Sequence, residues 1–226
     1  MTVGDQPLSK IVVLISGSGS NLQSFIDACE EGSVDGKIMA VISNRPGVKG
    51  LDRAAAANIP NIVVDHRAFE SREEFDQYLA EIINEFTPDL IVLAGFMRIL
   101  TGGFVNQFVG KLINIHPSLL PSYPGLNTHQ RAIEAGDSVA GATVHFVTPE
   151  LDGGPAILQV QVPILSTDSS AELAARVLVE EHKIYPLVAQ WYCQGRIIMD
   201  NGIVFHDSVE VEKSGLLFSS ESESEH

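Results

Sequence analysis

The stretch Ile11-Val12-Val13-Leu14-Ile15-Ser16-Gly17-Ser18-Gly19-Ser20-Asn21 decides the fold. Its first five residues are continuously apolar and mostly β-branched, the pattern of a parallel strand buried on both faces. Small residues follow, and an amphipathic helix is expected from about Asn21 to Glu31. A strand that turns through glycines into a helix opens a doubly wound α/β sheet. Glycines let a backbone approach an anion, and a helix N-terminus adds free N–H groups and partial positive charge. The same residues would equally make a plain tight turn with Asn21 as cap. A dinucleotide site would want a third glycine where Leu22 stands, and an acid where Ser43 and Asn44 end the second strand. The loop suits a single phosphate better than NAD.

The alternation continues outward. Strands are expected at Ile38 to Ile42, Ile62 to Val64 and Leu90 to Ala94, with an Ala-rich helix from about Gly50 to Asn58. Ser71-Arg72-Glu73-Glu74 is a capping box opening a helix with Phe75, Leu79, Ile82, Ile83 and Phe86 on one stripe. A short helix near Phe104 to Phe108 leads to a fifth strand beginning at Leu112. The reading is a doubly wound, mostly parallel sheet with a Rossmann-like N-terminal half and helices on both faces. Beyond Gly125 come a helix around Thr128 to Glu134 and strands at Thr143 to Val147 and Ile157 to Val162. Ser169 to Glu172 is a second capping box, opening the longest helix, which Pro186 is expected to kink or split. A hairpin turning at Asn201-Gly202 ends the domain, 1–206, divided into a phosphate-binding half (about 10–110) and a folate and catalytic half (about 111–206). The acidic, Ser-rich residues 207–226 read as a disordered tail.

Composition narrows the class. The 226 residues are 45% hydrophobic, enough for a sizeable core, and carry 14 basic against 29 acidic side chains. A net charge of −15 without any basic run argues against nucleic acid. No apolar run is long enough for a membrane span, and Cys29 and Cys193 read as two reduced thiols, so a cytoplasmic protein is expected. Histidines at helical ligand spacing, an H-E-x-x-H, a P-loop and a G-x-S-x-G elbow are all missing from the sequence, and no metal site is expected.

Four places could carry chemistry. The first is the glycine loop. The second is Leu112-Ile113-Asn114-Ile115-His116-Pro117, where Asn114 and His116 leave a strand on the same face. A carboxamide donor beside an imidazole can stabilise negative charge on a carbonyl oxygen and move a proton, although a buried histidine is as often structural. The third is Thr148-Pro149-Glu150-Leu151-Asp152-Gly153-Gly154, in which Asp152 either forms a turn or reaches His116 and favours the charged imidazole. The fourth is Met97-Arg98-Ile99-Leu100 after the fourth strand, on the carboxyl edge where ligands of open α/β sheets bind. Glu181, in the long helix, is either solvated or aimed into the cleft.

With these residues quoted, the chain resembles the phosphoribosylglycinamide formyltransferase family. The resemblance runs from about Lys10 to Asp200 and rests on Ser16 to Gln23, Leu93 to Leu100, Asn114-Ile115-His116-Pro117-Ser118-Leu119-Leu120-Pro121, His145 to Thr148 and Leu151-Asp152-Gly153-Gly154-Pro155. It implies transfer of the formyl group of 10-formyltetrahydrofolate to the amine of glycinamide ribonucleotide, without a metal. It implies that Gly19, Ser20 and Asn21 hold the substrate phosphate and that Glu181 contacts the ribose or glycinamide end. Arg72, Met97, Arg98, Ile99, Leu100, Asn114, Thr148, Pro149, Glu150, Leu151 and Asp152 would line the folate site, and Asn114, His116 and Asp152 would be catalytic. Leu178 departs from the family, whose members can carry a polar side chain there. The expected partners are these small molecules alone, with no nucleic acid or membrane, and the protein would be a monomer or homodimer. The rival readings are a formyltetrahydrofolate hydrolase, which would carry an extra N-terminal regulatory domain, and a non-enzymatic phosphometabolite-binding module.

Overall fold

The computed structural model describes residues 7–219. Strands β1 (Ser9–Ile15), β2 (Gly36–Ser43), β3 (Asn61–Val63), β4 (Leu90–Leu93) and β5 (Leu112–His116) are joined by α1 (Ser20–Glu31), α2 (Lys49–Ala56), α3 (Arg72–Glu85) and α4 (Gly102–Gln107). Then come α5 (Thr128–Ala135), β6 (Val139–Phe146), β7 (Ala156–Pro163), α6 (Ser170–Cys193), β8 (Ile197–Asp200), β9 (Ile203–His206), β10 (Val209–Glu210) and β11 (Leu216–Leu217). The main sheet has the order β11-β7-β6-β5-β4-β1-β2-β3. It is parallel except where β6 pairs antiparallel with β5 and with β7. The order reverses between β1 and β4, and a crevice forms outside the carboxyl ends of strands at such a point.

The sheet is buried on both faces because the runs Ile11–Ile15 of β1 and Leu90–Leu93 of β4 are apolar at every position. Ile11, Val13 and Ile15 pack with α1 and α6, whereas Val12 and Leu14 pack with α3 and α4. Leu112 belongs to the α3/α4 side, so by strand parity Asn114 and His116 point to that face too. The longest helix, α6, is started by a complete capping box, with Ser169 and Glu172 each satisfying the other's N–H. The Ser71 box is only half made. Ser71 accepts from the Glu74 N–H, but Glu74 reaches back to the Glu70 N–H instead.

Two expectations change. Helix α6 is not split at Pro186, because Ile184, Tyr185, Val188 and Ala189 on either side of it are fully buried against the sheet. Residues 207–219 are not a disordered tail. Asp207 pairs with Arg196 through two hydrogen bonds of 2.9 and 2.8 Å. Val211 is buried, β10 extends the β8–β9 hairpin, and β11 adds a parallel strand beside β7. The alternating Ser and Glu run begins later, and residues 220–226 lie outside the described part. The hairpin itself turns at Asn201 (φ 49°) and Gly202 (φ 79°), both in the left-handed region as a two-residue I′ turn requires.

Truncation after His206 therefore removes a buried side chain and a sheet strand. It should lower unfolding free energy by roughly 2–4 kcal/mol, measured by urea denaturation. An unchanged midpoint would mean that 207–219 contribute nothing.

Candidate active site

At the crevice the ends of three strands are tied by one hydroxyl. Ser16, just past β1, donates to Asn44 Oδ1 (2.6 Å) beyond β2 and accepts from the Met97 N–H (2.7 Å) beyond β4. The loops after β1, β2 and β4 start from this fixed point.

The glycine loop is built for close backbone approach. Gly19 is the N-cap of α1, with φ 69° and no side-chain cap. A Cβ on Gly19 would meet the Gly50 Cα at 2.7 Å, so both conformation and space demand glycine. The first N–H groups of a helix have no intrahelical acceptor, and here Ser20 and Asn21 supply them. Arg53 clasps the loop, its Nε donating to the Ser18 carbonyl (2.9 Å) and one Nη to Gln23 (3.0 Å). Asn21 is not the cap. It is buried in the first turn, and its Nδ2 donates to Glu181 Oε2 at 2.9 Å. Glu181 thus points into the protein beside the loop, and burial raises its carboxyl above the ordinary range while the Asn21 hydrogen bond pulls it down. One turn further along α6, the Tyr185 hydroxyl lies 3.1 Å from the Leu93 carbonyl and 3.0 Å from that of Ile113. This fixes α6 against β4 and β5.

The second group lies on the α3/α4 face. His116 and Asp152 side chains are 7% and 8% exposed, with Nδ1 and Oδ2 3.5 Å apart. Asp152 gets there because its loop folds back tightly onto β6: a Cβ on Gly154 would fall 1.8 Å from the Phe146 carbonyl oxygen. Asp152 itself adopts φ 51°, a left-handed conformation that Asp tolerates. Its Oδ2 also accepts from the Gly125 N–H (2.8 Å), and His116 Nε2 donates to the Tyr123 carbonyl (2.9 Å). The loop that supplies these two groups is anchored beneath. Thr143 donates to the Ser118 carbonyl (2.7 Å) and accepts from the Leu120 N–H (3.0 Å), and Gln159 Nε2 donates to the Leu120 carbonyl (2.8 Å). Asn114 Nδ2 donates to His145 Nε2 (3.2 Å). His145 is a site residue that the sequence reading passes over. The available signal is its alternation with Thr143 as the polar positions of an otherwise apolar strand, directly opposite Asn114 and His116.

The expected folate residues divide. Met97 (64% exposed), Ile99 (53%) and Leu151 (52%) present apolar surface on two loops. Those loops come close where Gly102 faces Pro149, whose Cβ would be 3.6 Å from a Cβ on the glycine. Leu100 is instead a core side chain, and the Arg98 guanidinium lies 4.3 Å over the Phe75 ring, so their side chains are turned toward α3. Arg72 is exposed in the first turn of α3, one turn before Asp76, which accepts from the Thr101 N–H (2.6 Å). Thr148 is partly buried and Glu150 exposed at the loop surface. Among the described residues, no group of three or more His, Cys, Asp or Glu could hold a metal ion, and no helix is long and apolar enough to cross a membrane.

The Glu181 carboxyl gives a pH signature. Its folded-state value is raised by burial, so ionisation costs stability as pH climbs through that value, and the cost vanishes below the unfolded value of about 4.3. Asn21 Oδ1 is buried without a hydrogen-bond partner, and an amide at 181 adds a donor beside it. Glu181→Gln should therefore melt higher than wild type at alkaline pH and equally at acid pH, checked by thermal unfolding across pH. A lower melting point at alkaline pH would contradict this.

Comparison with known proteins bears on the whole arrangement. The formyl transferase family model matches residues 9–189. The chain is 50% identical over 205 residues to phosphoribosylglycinamide formyltransferase of Escherichia coli (strain K12), covering 91% of this chain and 97% of that protein. It is 47% identical over 195 residues to the trifunctional purine biosynthetic protein adenosine-3 of Homo sapiens, spanning 86% of this chain but 19% of that longer one. The solved structure of phosphoribosylglycinamide formyltransferase from Coxiella burnetii superposes with a TM-score of 0.91 at 48% identity, covering 95% of this chain and 100% of that one. With nearly its whole length matched in sequence and in shape, this chain belongs to the formyl transferase family, as an enzyme of the phosphoribosylglycinamide formyltransferase type.

Proposed function

We propose that the protein transfers the formyl group of 10-formyltetrahydrofolate to the amine of glycinamide ribonucleotide, giving formylglycinamide ribonucleotide and tetrahydrofolate. The observation that carries this reading is the buried contact of His116 with Asp152, 3.5 Å apart, with Asn114 two residues away on the same strand face. The α1 N-terminus, from Gly19 to Asn21, holds the substrate phosphate through backbone N–H groups. Glu181 faces the ribose or glycinamide end. The exposed Met97, Ile99 and Leu151 give the folate an apolar bed, with neighbouring backbone groups reading the pterin and Arg72 at the rim.

Chemistry follows from the donors. As the neutral amine attacks the formyl carbon, negative charge develops on the formyl oxygen, and donors aimed at that oxygen lower the barrier. Asn114 Nδ2 and His116 Nε2 are the donors. A carbonyl oxygen, that of Tyr123, already sits 2.9 Å from His116 Nε2, at the position which the formyl oxygen would take over. With a carboxylate facing Nδ1, both ring nitrogens face acceptors, the pattern that an imidazolium needs. Asp152 holds that charge and, through a water, carries the proton from the attacking amine toward the leaving nitrogen. No covalent intermediate with the protein is required. The free thiols Cys29 and Cys193 fit a reducing cytoplasmic setting, and the net charge of −15 fits small-molecule rather than nucleic-acid partners.

Steady-state kinetics test the assignment. Asn114→Ala, His116→Ala and Asp152→Asn should each lower kcat by about 100-fold or more with both substrates still bound. Near-wild-type turnover in all three overturns it. Spectroscopic detection of folate deformylation should require glycinamide ribonucleotide; release of formate without it would indicate the hydrolase instead. Gly19→Ala, strained in conformation and colliding with Gly50, should raise KM for the ribonucleotide at least ~10-fold, leaving KM for the folate near wild type.

A further inference from the structure

We propose that His145 is a positioning residue for this transfer, fixing which way round the Asn114 carboxamide lies so that nitrogen rather than oxygen is offered to the formyl group. The inference rests on the reading in which Asn114 donates to the formyl oxygen. A carboxamide has nearly the same shape either way round, so its neighbours must choose the orientation chemically. Asn114 has a neighbour that can do so. In the antiparallel register of β5 with β6, Asn114 stands directly opposite His145, whose Nε2 lies 3.2 Å from Asn114 Nδ2.

The other ring nitrogen settles what Nε2 is. His145 Nδ1 lies 2.9 Å from the carbonyl oxygen of Phe146, which can only accept, so Nδ1 carries the hydrogen. The ring is 2% exposed, and burial lowers its pKa, outweighing the opposing pull of the Phe146 carbonyl and Asp152; the nearby His116 lowers it further. A neutral imidazole with hydrogen on Nδ1 leaves Nε2 as a lone pair that can only accept. The Asn114 atom against it must then be nitrogen. One hydrogen of Nδ2 is committed to His145, and the second, on the same atom, remains for the substrate. Had His145 carried its hydrogen on Nε2, Asn114 would turn its oxygen to the ring, and the developing oxyanion would meet a like partial charge.

Two substitutions separate this role from packing. The amide of Asn occupies the place of Nδ1, so His145→Asn keeps the bond to Phe146 and removes the acceptor facing Asn114. The amide of Gln reaches the place of Nε2, so His145→Gln restores an acceptor. His145→Asn should lower kcat by about 10- to 100-fold, with KM for both substrates within about twofold, and His145→Gln should recover most of the loss. In an Asn114→Ala background, His145→Asn should change kcat by less than about twofold, since the two act through one donor. Wild-type kcat in His145→Asn overturns the proposal, as does a full additional loss in the double variant, which would mark a structural role. If Asn114→Ala itself retains wild-type kcat, the assignment of Asn114 is wrong and the proposal falls with it. Should the variants not fold, ¹⁵N spectra of histidine-labelled wild type decide: His145 should carry hydrogen on Nδ1 at neutral pH, and an Nε2–H signal overturns the proposal.

Discussion

The antiparallel pairing of β5 with β6 is the constraint on which the site depends. Parallel strands march their carboxyl ends to one edge, but they offer no partner strand that brings its own polar residues back along the same face. Reversing β6 sets Asn114 against His145 and His116 against Thr143, two polar pairs side by side on a face that elsewhere packs apolar side chains against α3 and α4. Cross-strand neighbours lie about 4.5–5.5 Å apart at Cβ, close enough to orient one another. The same reversal starts the loop to Asp152 on that face, because Val147, its first residue, hydrogen-bonds to the Leu112 carbonyl at 2.9 Å. A one-residue slip would turn Asn114 and His116 toward α6 and dismantle the group entirely.

A second linkage runs through α6. Its Tyr185 hydroxyl bridges β4 and β5, and one turn earlier Glu181 meets Asn21 of the glycine loop. The glycine loop and strands β4 and β5 are therefore held by one helix, whose start is capped and whose inner face is buried. Between them the loop over His116 and Asp152 supplies a carbonyl and an N–H to the pair. Buried polar groups left without partners cost about 1–3 kcal/mol each, so the loop keeps the dyad satisfied when no substrate is there.

Much of this was legible from the residues alone. Continuous apolar runs such as Ile11 to Ile15 and Leu90 to Leu93 announce buried parallel strands, and the capping signal at Ser169 marks its helix to the residue. The approach of Asp152 to His116 could be stated only as one of two options, because the intervening chain length permits either. Asp-Gly-Gly reads as a turn, and only the contact of Gly154 with Phe146 shows where the turn aims. His145 was missed because strand register is not written in one strand: its partner Asn114 lies 31 positions away. Arg98 is a case in which side chain and backbone part company. An arginine beside a binding edge suggests a ligand, yet Phe75 takes its guanidinium. The acidic, serine-rich end points to disorder from Asp207 onward, and the burial of Val211 and the pairing of Leu216 with β7 emerge only in the fold.

That docking changes how the sheet meets its surroundings. Unpaired N–H and C=O groups along an outermost strand are a template for joining another chain. Here the eight-residue β7 would be the rim, but β11 lies along it with only two residues, Leu216 and Leu217. The opposite rim is β3, three residues long. Both margins of the sheet thus carry short strands. The C-terminal segment thereby occupies the middle of the β7 edge, at Leu158 and Gln159, where another chain could otherwise pair.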